Sequence, residues 1–351
     1  MVLRLTNEEI EELLKMKDCI AVLEEAYKDL GVGRGVNRPR SHTLSPTSKE
    51  NLFYRFKSME GTLPKLGVHA LRLSSDVITN AKTDGNLRRE KLPTAEGSRW
   101  LGLILLFNME TGDLMAVMPD GFIQRMRVGG TSGLGVKYLA RPDASVVGLL
   151  GSGWQAGAQL EAICAVRNVR SVKVYSPNRE HRQRFTDVMG EKLGVEVRPV
   201  DHALDAVKES DIVACATNSL EPVLQGSWLQ KGTHLGAILT LEVDKDSFTR
   251  SDVVIVHTKL KHTDHFMPAF SWDRAHRSGG NVLWGERPEL AELIVGKIAG
   301  RANPEEITFF FNNGGLGIQF AAVGHLVYTL AKERGFGSEI PADWFLQTVH
   351  P

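Results

Sequence analysis

Cysteine, net charge and long hydrophobic runs are all scarce in this chain, and each scarcity excludes a class of protein. The 3 cysteines are widely separated and lack paired zinc-type spacing, so a disulfide framework is not expected. The 42 basic and 42 acidic residues cancel, which leaves no large positive field for nucleic acid or an anionic membrane. Apolar runs such as residues 101–107 are too short to span a membrane, and the acidic N-terminus lacks an apolar signal segment. We therefore expect a cytoplasmic protein with a small-molecule partner.

The N-terminal third of the chain, residues 1–122, has the pattern of an α+β domain with mostly antiparallel strands. Thr6 has the features of an N-cap, and the apolar positions after it predict one long amphipathic helix. Strand patterns lie at residues 52–56, 66–73 and 100–107. The segment 79–99 is dense in charge, glycine and proline, and we expect it to form an exposed loop.

After residue 120, helices and strands alternate as in βαβ units, which predicts a Rossmann-type, doubly wound parallel sheet. The predicted strands lie at residues 145–150, 172–175, 196–200, 212–215, 234–238 and 253–256. A helix over residues 123–139 precedes them, and its glycines indicate close approach to a backbone or a cofactor. A last helix, about residues 317–332, is expected to lead back to the first domain. The predicted fold class is α/β, with a Rossmann domain joined to an α+β domain.

A glycine turn follows the first strand of this alternation, where a helix begins. Gly151 and Gly153 allow a tight turn that brings helix N–H groups to a diphosphate, and Ala156 is small enough for the helix to pack on the strand. Strand, turn, helix and second strand follow at the intervals of a dinucleotide site, and the alternative is an ordinary tight βα turn. The predicted diphosphate contacts are Gly151, Ser152, Gly153, Trp154, Gln155 and Ala156.

The turn after the second strand bears on the choice between the two nicotinamide dinucleotides. A site selective for NAD usually places an acid here for the adenosine ribose hydroxyls, and none is present. Ser176, Asn178 and Arg179 instead offer hydrogen-bond donors and a positive charge, which suit a 2′-phosphate. The sequence therefore favours NADP(H) over NAD(H). The alternative is that Arg179 is a solvated residue in the first turn of the next helix.

Several motifs, in chain order, resemble those of the ornithine cyclodeaminase/mu-crystallin family. They are RVGGT at 127–131, LARP at 139–142, GSGWQA at 151–156, ATNS at 216–219 and NGGLGIQ at 313–319. The resemblance extends over most of the chain and implies a homodimer. It implies a substrate and dimerisation domain formed by residues 1–122 and 326–351, and a Rossmann NAD(P)-binding domain formed by residues 123–325. The active site would lie between them, and Thr217 and Asn218 would join the cofactor contacts.

The resemblance assigns Arg127 to the carboxylate of the substrate. A guanidinium group pairs with a carboxylate in bidentate geometry, so the residue type suits this task. The family motif usually has a threonine next, whereas this chain has Val128, and Thr131 or Ser132 is a candidate to give the missing hydroxyl to a cofactor phosphate. The alternative for Arg127 is a structural ion pair.

The active-site lysine of the family is absent from its usual strand. Matching basic residues places Arg72 at that position, whereas fixing the register on Gly67 places His69 there. Arg72 can hold a carboxylate but stays charged, so His69 and Lys57 are the candidates for the proton transfer. Because His69 and Arg72 are three residues apart, a regular strand directs them to opposite faces, and we expect only one to reach the substrate.

The sequence also lacks two acids that, in cyclodeaminases of the family, handle the substrate amine. The loop after residues 234–238 is short, Glu242 matches a structural position of the family, and Phe320 replaces the second acid. Ornithine cyclisation is therefore disfavoured. Arg38 and Arg40 precede the first strands, where the family often presents an arginine to the substrate, and either is a candidate to bind a second carboxylate.

Two further groups of residues have competing interpretations. A metal cluster or a solvated loop is possible for His257, His262, Asp264 and His265. Their spacing matches no standard zinc pattern, so we expect a loop and no metal. Packing, rather than stacking on a cofactor, is expected for Trp100, Trp154 and Trp272.

These observations lead to one hypothesis and two alternatives. The first is an NADP(H)-dependent oxidoreductase that reduces the C=N bond of an imino or ketimine acid, or oxidises the corresponding amino acid. Arg127, aided by Arg72, would fix the carboxylate, with Arg40 and Lys57 as further substrate contacts. The first alternative is a lyase of the ornithine cyclodeaminase type that uses NAD catalytically. The second is a non-catalytic, NADPH-dependent binding protein.

Overall fold

Two sheets with helices between them organise the chain. The computed structural model describes residues 1–83, 86–219, 221–259, 263–264 and 286–348. Its strands in chain order are β1 (Val2–Arg4), β2 (Val36–Asn37), β3 (Ser41–Pro46), β4 (Phe53–Leu63), β5 (Val68–Thr83), β6 (Asn86–Leu92), β7 (Leu101–Asn108), β8 (Leu114–Pro119), β9 (Val146–Leu150), β10 (Ser171–Tyr175), β11 (Glu196–Pro199), β12 (Ile212–Cys215), β13 (His234–Ala237), β14 (Val253–Val256), β15 (Thr263–Asp264), β16 (Thr308–Phe311) and β17 (Ser338–Ile340). The α-helices are α1 (Asn7–Leu13), α2 (Met16–Gly31), α3 (Gly121–Leu139), α4 (Trp154–Val166), α5 (Arg179–Leu193), α6 (Ala203–Val207), α7 (Lys245–Thr249), α8 (Leu290–Ile294) and α9 (Gly317–Arg334). No helix within these described ranges is both long and apolar enough to cross a lipid bilayer.

The first sheet is mixed and contains ten strands in the order β15-β3-β4-β5-β7-β8-β1-β17, with β2 beside β4 and β6 beside β5. Its pairs are antiparallel except for β1 with β8 and β3 with β15. The mostly antiparallel character predicted for the N-terminal domain is therefore confirmed. Two short strands from the C-terminal part of the chain, β15 and β17, complete the sheet.

Most of the charged segment at residues 79–99, which was predicted as a loop, lies in two paired strands. β5 continues to Thr83, and the chain returns as β6, with pairs that run from Val77↔Leu92 to Thr83↔Asn86. A strand ladder is built from backbone N–H and C=O groups, so a charged sequence without apolar alternation can still form one. The loop prediction was therefore wrong for residues 79–83 and 86–92, whereas residues 93–99 are exposed and lie outside the strands, as predicted.

The first helical segment is also divided, since α1 and α2 replace the single predicted helix. The N-cap is as expected: Thr6 Oγ1 accepts from the Glu9 N–H, and the Glu9 carboxylate accepts from the Thr6 N–H. Leu14 then takes an extended conformation, with φ −90° and ψ 116°. Leu13, Leu14 and Met16, on both sides of this break, are all buried.

The second sheet is wholly parallel, with seven strands in the order β11-β10-β9-β12-β13-β16-β14. The βαβ unit at residues 147–219 and the α/β fold class with a Rossmann sheet are confirmed. The strand β16, which lies between β13 and β14, was missed by the sequence pattern. Its residues, Thr308–Phe311, are all buried, and so short a run has no alternation that marks it as a strand.

The helix α3 lies between the two sheets and packs closely through its glycines. A Cβ atom on Gly129 would lie 2.6 Å from the Ala158 carbonyl oxygen of α4, and one on Gly135 would lie 2.3 Å from the Phe310 ring of β16. Gly130 faces Leu23 of α2 in the same way. The glycines therefore serve close approach to neighbouring elements, one of the two expectations from the sequence.

The helix α9 returns the chain to the first sheet, as predicted. A Cβ atom on Gly61 of β4 would lie 2.1 Å from the backbone nitrogen of Ile318, so α9 packs on the sheet from its first turn. After α9, β17 pairs antiparallel with β1. The domain limits at residues 122 and 326 stay predictions.

Candidate functional site

The glycine turn after β9 has the geometry of a diphosphate site. Gly151 has φ 118°, and a Cβ atom there would lie 2.3 Å from the Ala216 carbonyl oxygen. A Cβ atom on Gly153 would meet nothing within 4 Å, so the space above this residue is open. The helix α4 begins directly afterwards, with no side-chain cap and no acid in its first turn. Its N–H groups are thus directed at an open space that suits an anion.

The position of this turn within the sheet also suits a nucleotide. β9 lies between β10 and β12, where the strand order changes direction, and ligands of open α/β sheets bind at such a switch point. Ala156 is fully buried, as its small size predicts. Trp154 is 55% exposed and Trp100 is 52% exposed, so neither is a core residue of the single chain. Trp272 lies outside the described residues.

Alanine substitutions at the two glycines are expected to separate folding from cofactor binding. Gly151→Ala places a side chain at positive φ against a backbone carbonyl, and we expect it to lower the free energy of unfolding by about 1–3 kcal/mol. Gly153→Ala, at φ −91°, should leave stability unchanged but weaken dinucleotide binding because its Cβ occupies the open space. Urea unfolding and fluorescence titration with NADPH measure the two effects. Equal cofactor affinity of Gly153→Ala and the parent protein would contradict the assignment.

The residues after β10 have separate roles. The Asn178 side chain caps α5 by accepting from the His181 N–H at 2.8 Å. The Ser176 carbonyl accepts from Arg182, a buried residue that also pairs with Asp201. Arg179 is exposed, and no ion pair holds it among the described residues. Of the three residues predicted here, Arg179 is therefore the one whose charge is available to a ligand.

Basic side chains collect on the face of the first sheet that packs against α9. Odd-numbered residues of β4 and even-numbered residues of β5 face this side, and the register places Met59 opposite Arg72. Arg55 and Lys57 precede Met59 on the same side. We call Arg55, Lys57 and Arg72 the basic face.

Two acids that sequence reasoning did not assign to the site neutralise part of the basic face. Asp120, at the start of α3, accepts from Arg72 Nε at 2.7 Å. Asp76, on β5, pairs with Arg55 Nη2 at 3.3 Å and with Lys91 at 2.9 Å. Although burial acts to raise the pKa of Asp76, the charges of Lys91, Lys57 and Arg55 lower it below its ordinary value. Asp76 is therefore expected to be a carboxylate, and the two acids lie against two of the arginines.

Arg127 projects from α3 and is buried among neutral hydrogen-bond partners. Its Nη1 donates to Gln319 Oε1 at 3.1 Å, and its Nη2 donates to Gln124 Oε1 at 2.8 Å. The Phe320 ring lies 5.1 Å from Arg127 Cζ and 5.7 Å from Arg72 Cζ. No acid pairs with Arg127 in the described part of the chain, which disagrees with a structural ion pair. Its Nε–H, though buried, has no acceptor there.

Burial and neighbouring cations perturb the two free basic groups of the site. Burial, followed by the charge of Arg72, lowers the pKa of Arg127 to about 9, so this guanidinium remains charged at neutral pH. Burial, and then the charges of Arg55, Arg40, Lys91 and Arg72, lower the pKa of Lys57 well below its ordinary value of 10.5. Lys57 is therefore a basic group that gives up its proton more readily than an ordinary lysine, whereas arginine stays charged.

Two residues proposed from the sequence lie away from this site. His69 is on the opposite face of β5 from Arg72, where its Nδ1 hydrogen-bonds to Thr62 Oγ1 at 2.8 Å. Thr131 is fully buried, with its hydroxyl between Tyr27 and Gln319, so it cannot reach a cofactor phosphate. The structure therefore places neither His69 nor Thr131 where the predicted role requires it.

Comparison with known proteins identifies the family. The profile of the ornithine cyclodeaminase/mu-crystallin family matches residues 2–335. The chain belongs to this family. It is 29% identical over 343 residues to the alanine dehydrogenase of Archaeoglobus fulgidus, covering 96% of this chain and 97% of that protein. It is 28% identical over 240 residues to the iminosuccinate reductase of Paracoccus denitrificans, covering 68% of this chain and 72% of that protein.

A solved structure from the ornithine cyclodeaminase/mu-crystallin family has a similar fold. This is the Δ1-pyrroline-2-carboxylate reductase of Thermococcus litoralis, in complex with NADH and L-proline, with a TM-score of 0.80 and 32% identity. The match covers 97% of this chain and 100% of that one. An archaeal alanine dehydrogenase dimer with bound NAD gives a TM-score of 0.78 at 27% identity, covering 97% of this chain and 99% of that one.

Within this family framework, the structure distinguishes the two N-terminal arginines. Arg38 forms an exposed bidentate ion pair with Glu60, at 2.8 and 2.9 Å. Arg40 lies close enough to the basic face for its charge to lower the pKa values of Lys57 and Arg127. Arg40 is thus the better placed of the two to meet a substrate.

The acid that follows β13 in this member of the family has a structural role, as its sequence position indicated. Glu242 is fully buried and accepts from the backbone N–H groups of Thr217, Ile238 and Leu239. Although these bonds act to lower it, burial raises the pKa of Glu242. The carboxylate ties the ends of β12 and β13 together and is not directed at a substrate amine.

The histidine group proposed as a possible metal cluster is only partly described. His257 is buried and hydrogen-bonds to Tyr27 and to the Gly314 carbonyl oxygen, so it is not part of a solvated loop. His262, His265 and the side chain of Asp264 lie outside the described residues. Among the residues that are described, no group of three or more potential metal ligands occurs.

Proposed function

We propose that this protein is an NADP(H)-dependent oxidoreductase that reduces the C=N bond of an imino acid next to its carboxylate, or oxidises the corresponding amino acid. The observation that carries the proposal is that Arg127, buried without an acid partner in the described part of the chain, and Lys57, with its lowered pKa, both lie close enough to Arg72 to feel its charge. Relatives named as pyrroline-2-carboxylate reductase, alanine dehydrogenase and iminosuccinate reductase support this reaction class.

The glycine turn is proposed to hold the cofactor, since the open N-terminus of α4 and the space at Gly153 fit a diphosphate. When bound, the nicotinamide supplies the hydride for the imine carbon. The further proposed contacts, at the ends of β9, β10 and β12, are Ser152, Trp154, Gln155, Ser176, Asn178, Arg179, Thr217 and Asn218.

The chain itself binds the substrate and moves a proton. Gln319 and Gln124 each accept one hydrogen bond from Arg127. The other N–H groups of the guanidinium, including Nε–H, are left for the carboxylate. Protonated Lys57 is proposed to give its Nζ proton to the imine nitrogen, which becomes the amine nitrogen, and then to be reprotonated from solvent. Arg72, neutralised by Asp120, and Arg40 are proposed to orient the substrate from the same side.

The preference for NADP(H) is proposed to depend on Arg179. We expect Arg179→Ala to raise the KM for NADPH by about tenfold or more, because a charge-assisted hydrogen bond to the 2′-phosphate is lost. The KM for NADH should stay unchanged, because NADH lacks that phosphate. Steady-state kinetics with both cofactors measure the effect, and Arg184→Ala, an exposed arginine of the same helix, is the matched control. Equal losses with NADPH and NADH would contradict the assignment.

The reaction class is tested by a substrate panel. NADPH oxidation should be followed with Δ1-pyrroline-2-carboxylate and other preformed cyclic imines, and with α-keto acids plus ammonia or methylamine. We expect NADPH-dependent turnover of at least one of these substrates. Conversion of ornithine to proline without net change in NADPH would favour the lyase, and the absence of turnover with every substrate would favour a binding protein.

A homodimer is proposed from the other face of the first sheet. Apolar side chains there are only half-buried in the single chain, namely Leu71, Leu73, Leu103, Leu105 and Phe107. A contiguous apolar sheet face of this kind is typical of an obligate interface. Light scattering should give twice the chain mass of 38.8 kDa, and a monomeric mass would contradict the proposal.

A further inference from the structure

A buried set of polar side chains connects Arg127 to residues far away in the sequence. Tyr27 of α2 is fully buried, and its hydroxyl lies 2.6 Å from His257 Nε2 and 3.0 Å from Thr131 Oγ1. Gln319 of α9 lies between Thr131, at 2.7 Å, and Arg127. The set thus joins α2, α3, α9 and the residue after β14 in one connected group.

The direction of every hydrogen bond in this group follows from its two ends. His257 Nδ1 lies 2.7 Å from the Gly314 carbonyl oxygen, which only accepts, so Nδ1 carries the hydrogen. Burial lowers the pKa of His257 to about 3, so the ring is neutral and its Nε2 accepts. The hydroxyl of Tyr27 must then donate to Nε2, and the Tyr27 oxygen is left to accept from Thr131.

The other end gives the same direction. The carbonyl oxygen of the Gln319 side chain accepts from Arg127 Nη1 and from the Leu316 backbone N–H, so its amide nitrogen must face Thr131. Thr131 therefore accepts from Gln319 and has its own hydrogen to give to Tyr27. Every group donates along one direction, from Arg127 to the Gly314 carbonyl oxygen, and no member can reverse alone.

The two ends of this hydrogen-bonded group, Gly314 and Arg127, lie close together in space. A Cβ atom on Gly315, the residue after Gly314, would lie 2.9 Å from Arg127 Nη1. The loop after β16 is therefore held by His257 at one point and lies against the arginine at the next. A shift of any member would move the guanidinium or the loop against it.

We propose that this one-directional chain of Gln319, Thr131, Tyr27 and His257 positions the guanidinium of Arg127 for the substrate carboxylate. None of the four is a catalytic residue; Tyr27, Thr131 and His257 act on the substrate only through Gln319 and Arg127. The inference rests on the proposed function only in taking a carboxylate as the ligand of Arg127.

The test removes one hydroxyl at a time without changing the packed volume. Tyr27→Phe and Thr131→Val each break the chain, and we expect each to raise the KM for the imino acid and the Kd for pyrrole-2-carboxylate by about three- to tenfold. The latter is a flat carboxylate that cannot be reduced. The kcat at saturation and the Kd of NADPH should change less than twofold.

Three comparisons separate positioning from a loss of packing. Thr131→Ser keeps the hydroxyl and should restore the parent KM, and Tyr138→Phe, which removes a hydroxyl elsewhere on α3, should leave it unchanged. The double variant Tyr27→Phe, Thr131→Val should be no worse than either single variant, because both break the same chain. Additive losses, or single variants with the parent KM and Kd, would overturn the proposal.

A final measurement does not depend on turnover. Nitrogen-15 spectra of the histidines, assigned with His257→Gln, should show His257 as the neutral Nδ1–H tautomer from pH 5 to 8. The Nε2–H tautomer or a protonated ring would contradict the proposed direction of these hydrogen bonds. One outcome is that the parent protein binds pyrrole-2-carboxylate, and the variants bind it more weakly as described, while no imine is reduced. In that case the proposed reaction fails and the positioning role stands.

Discussion

Replacing Arg127 by methionine is expected to lower kcat/KM for the imino acid by about a hundredfold to a thousandfold. The loss has this size because the arginine is buried, so its bonds to a carboxylate are little screened by water. Methionine fills a similar volume beneath the Phe320 ring without a charge. Most of the effect should fall on KM, since the carboxylate is bound in both the ground state and the transition state.

Two comparisons make the Arg127 result specific. The Kd of NADPH, measured by fluorescence titration, should stay within about twofold of the parent value because the diphosphate site is built by other elements. Arg38→Met removes an arginine that is paired with Glu60 on the surface, and it should leave KM unchanged. If Arg127→Met retained the parent kcat/KM, the carboxylate site would have to lie elsewhere.

Replacing Lys57 by methionine is expected to lower kcat by about a hundredfold to ten-thousandfold, the usual contribution of a positioned general acid. The parent enzyme should also lose imine reduction as the pH rises through the lowered pKa of Lys57, because only the protonated amine donates. Lys57→Arg cannot release its proton, so it should be slow at every pH and lack this descending limb. Rates of NADPH oxidation from pH 6 to 10 measure both effects.

The same pKa shift predicts an opposite effect on stability. The folded protein holds the Lys57 proton less tightly than the unfolded chain does, so stability should rise with pH between the lowered pKa and the ordinary value of 10.5. Lys57→Met removes a charge that folding buries at a cost, and it should have a higher Tm than the parent at neutral pH. Lys65→Met, a surface control, should change neither kcat nor Tm, and a Lys57→Met variant with parental kcat would exclude the proton-donor role.

The dinucleotide site was predictable from the sequence because its signal is local. Gly151, Gly153 and Ala156 lie within six residues of one another, between a strand and a helix that both have clear apolar patterns. The strained φ of Gly151 and the open space at Gly153 are what that pattern requires. The alternating helices and strands after residue 120 gave the Rossmann sheet for the same reason.

The substrate-binding residues were less predictable, because they come together only through the alternation of side chains along each strand and the register between strands. The sequence indicated that His69 and Arg72 face opposite sides, but it did not indicate which side is the site. The larger apolar residues Leu71 and Leu73 lie on the outer face, whereas small Ala70 lies inside, so hydrophobicity alone points the wrong way. The assignment of Lys57 to the inner face required the register of β4 against β5.

The ion pairs and hydrogen bonds that neutralise or position the arginines could not be predicted from the sequence. Asp120 meets Arg72 across 48 residues, and Tyr27 meets His257 across 230. No spacing rule links residues so far apart, and each of them has an ordinary local explanation. Only their arrangement shows that neither Arg127 nor Lys57 has an acid partner in the described part of the chain.

The proposed reaction adds hydride to a C=N carbon next to a carboxylate, and isotope transfer follows that hydride from cofactor to product. The protein should be incubated with NADPH deuterated at the nicotinamide C4 position and with each imine that supports turnover. We expect one deuterium on the α-carbon of the amino acid formed, with one NADPH consumed per product molecule. Product formation without deuterium at that carbon and without net NADPH consumption would contradict it.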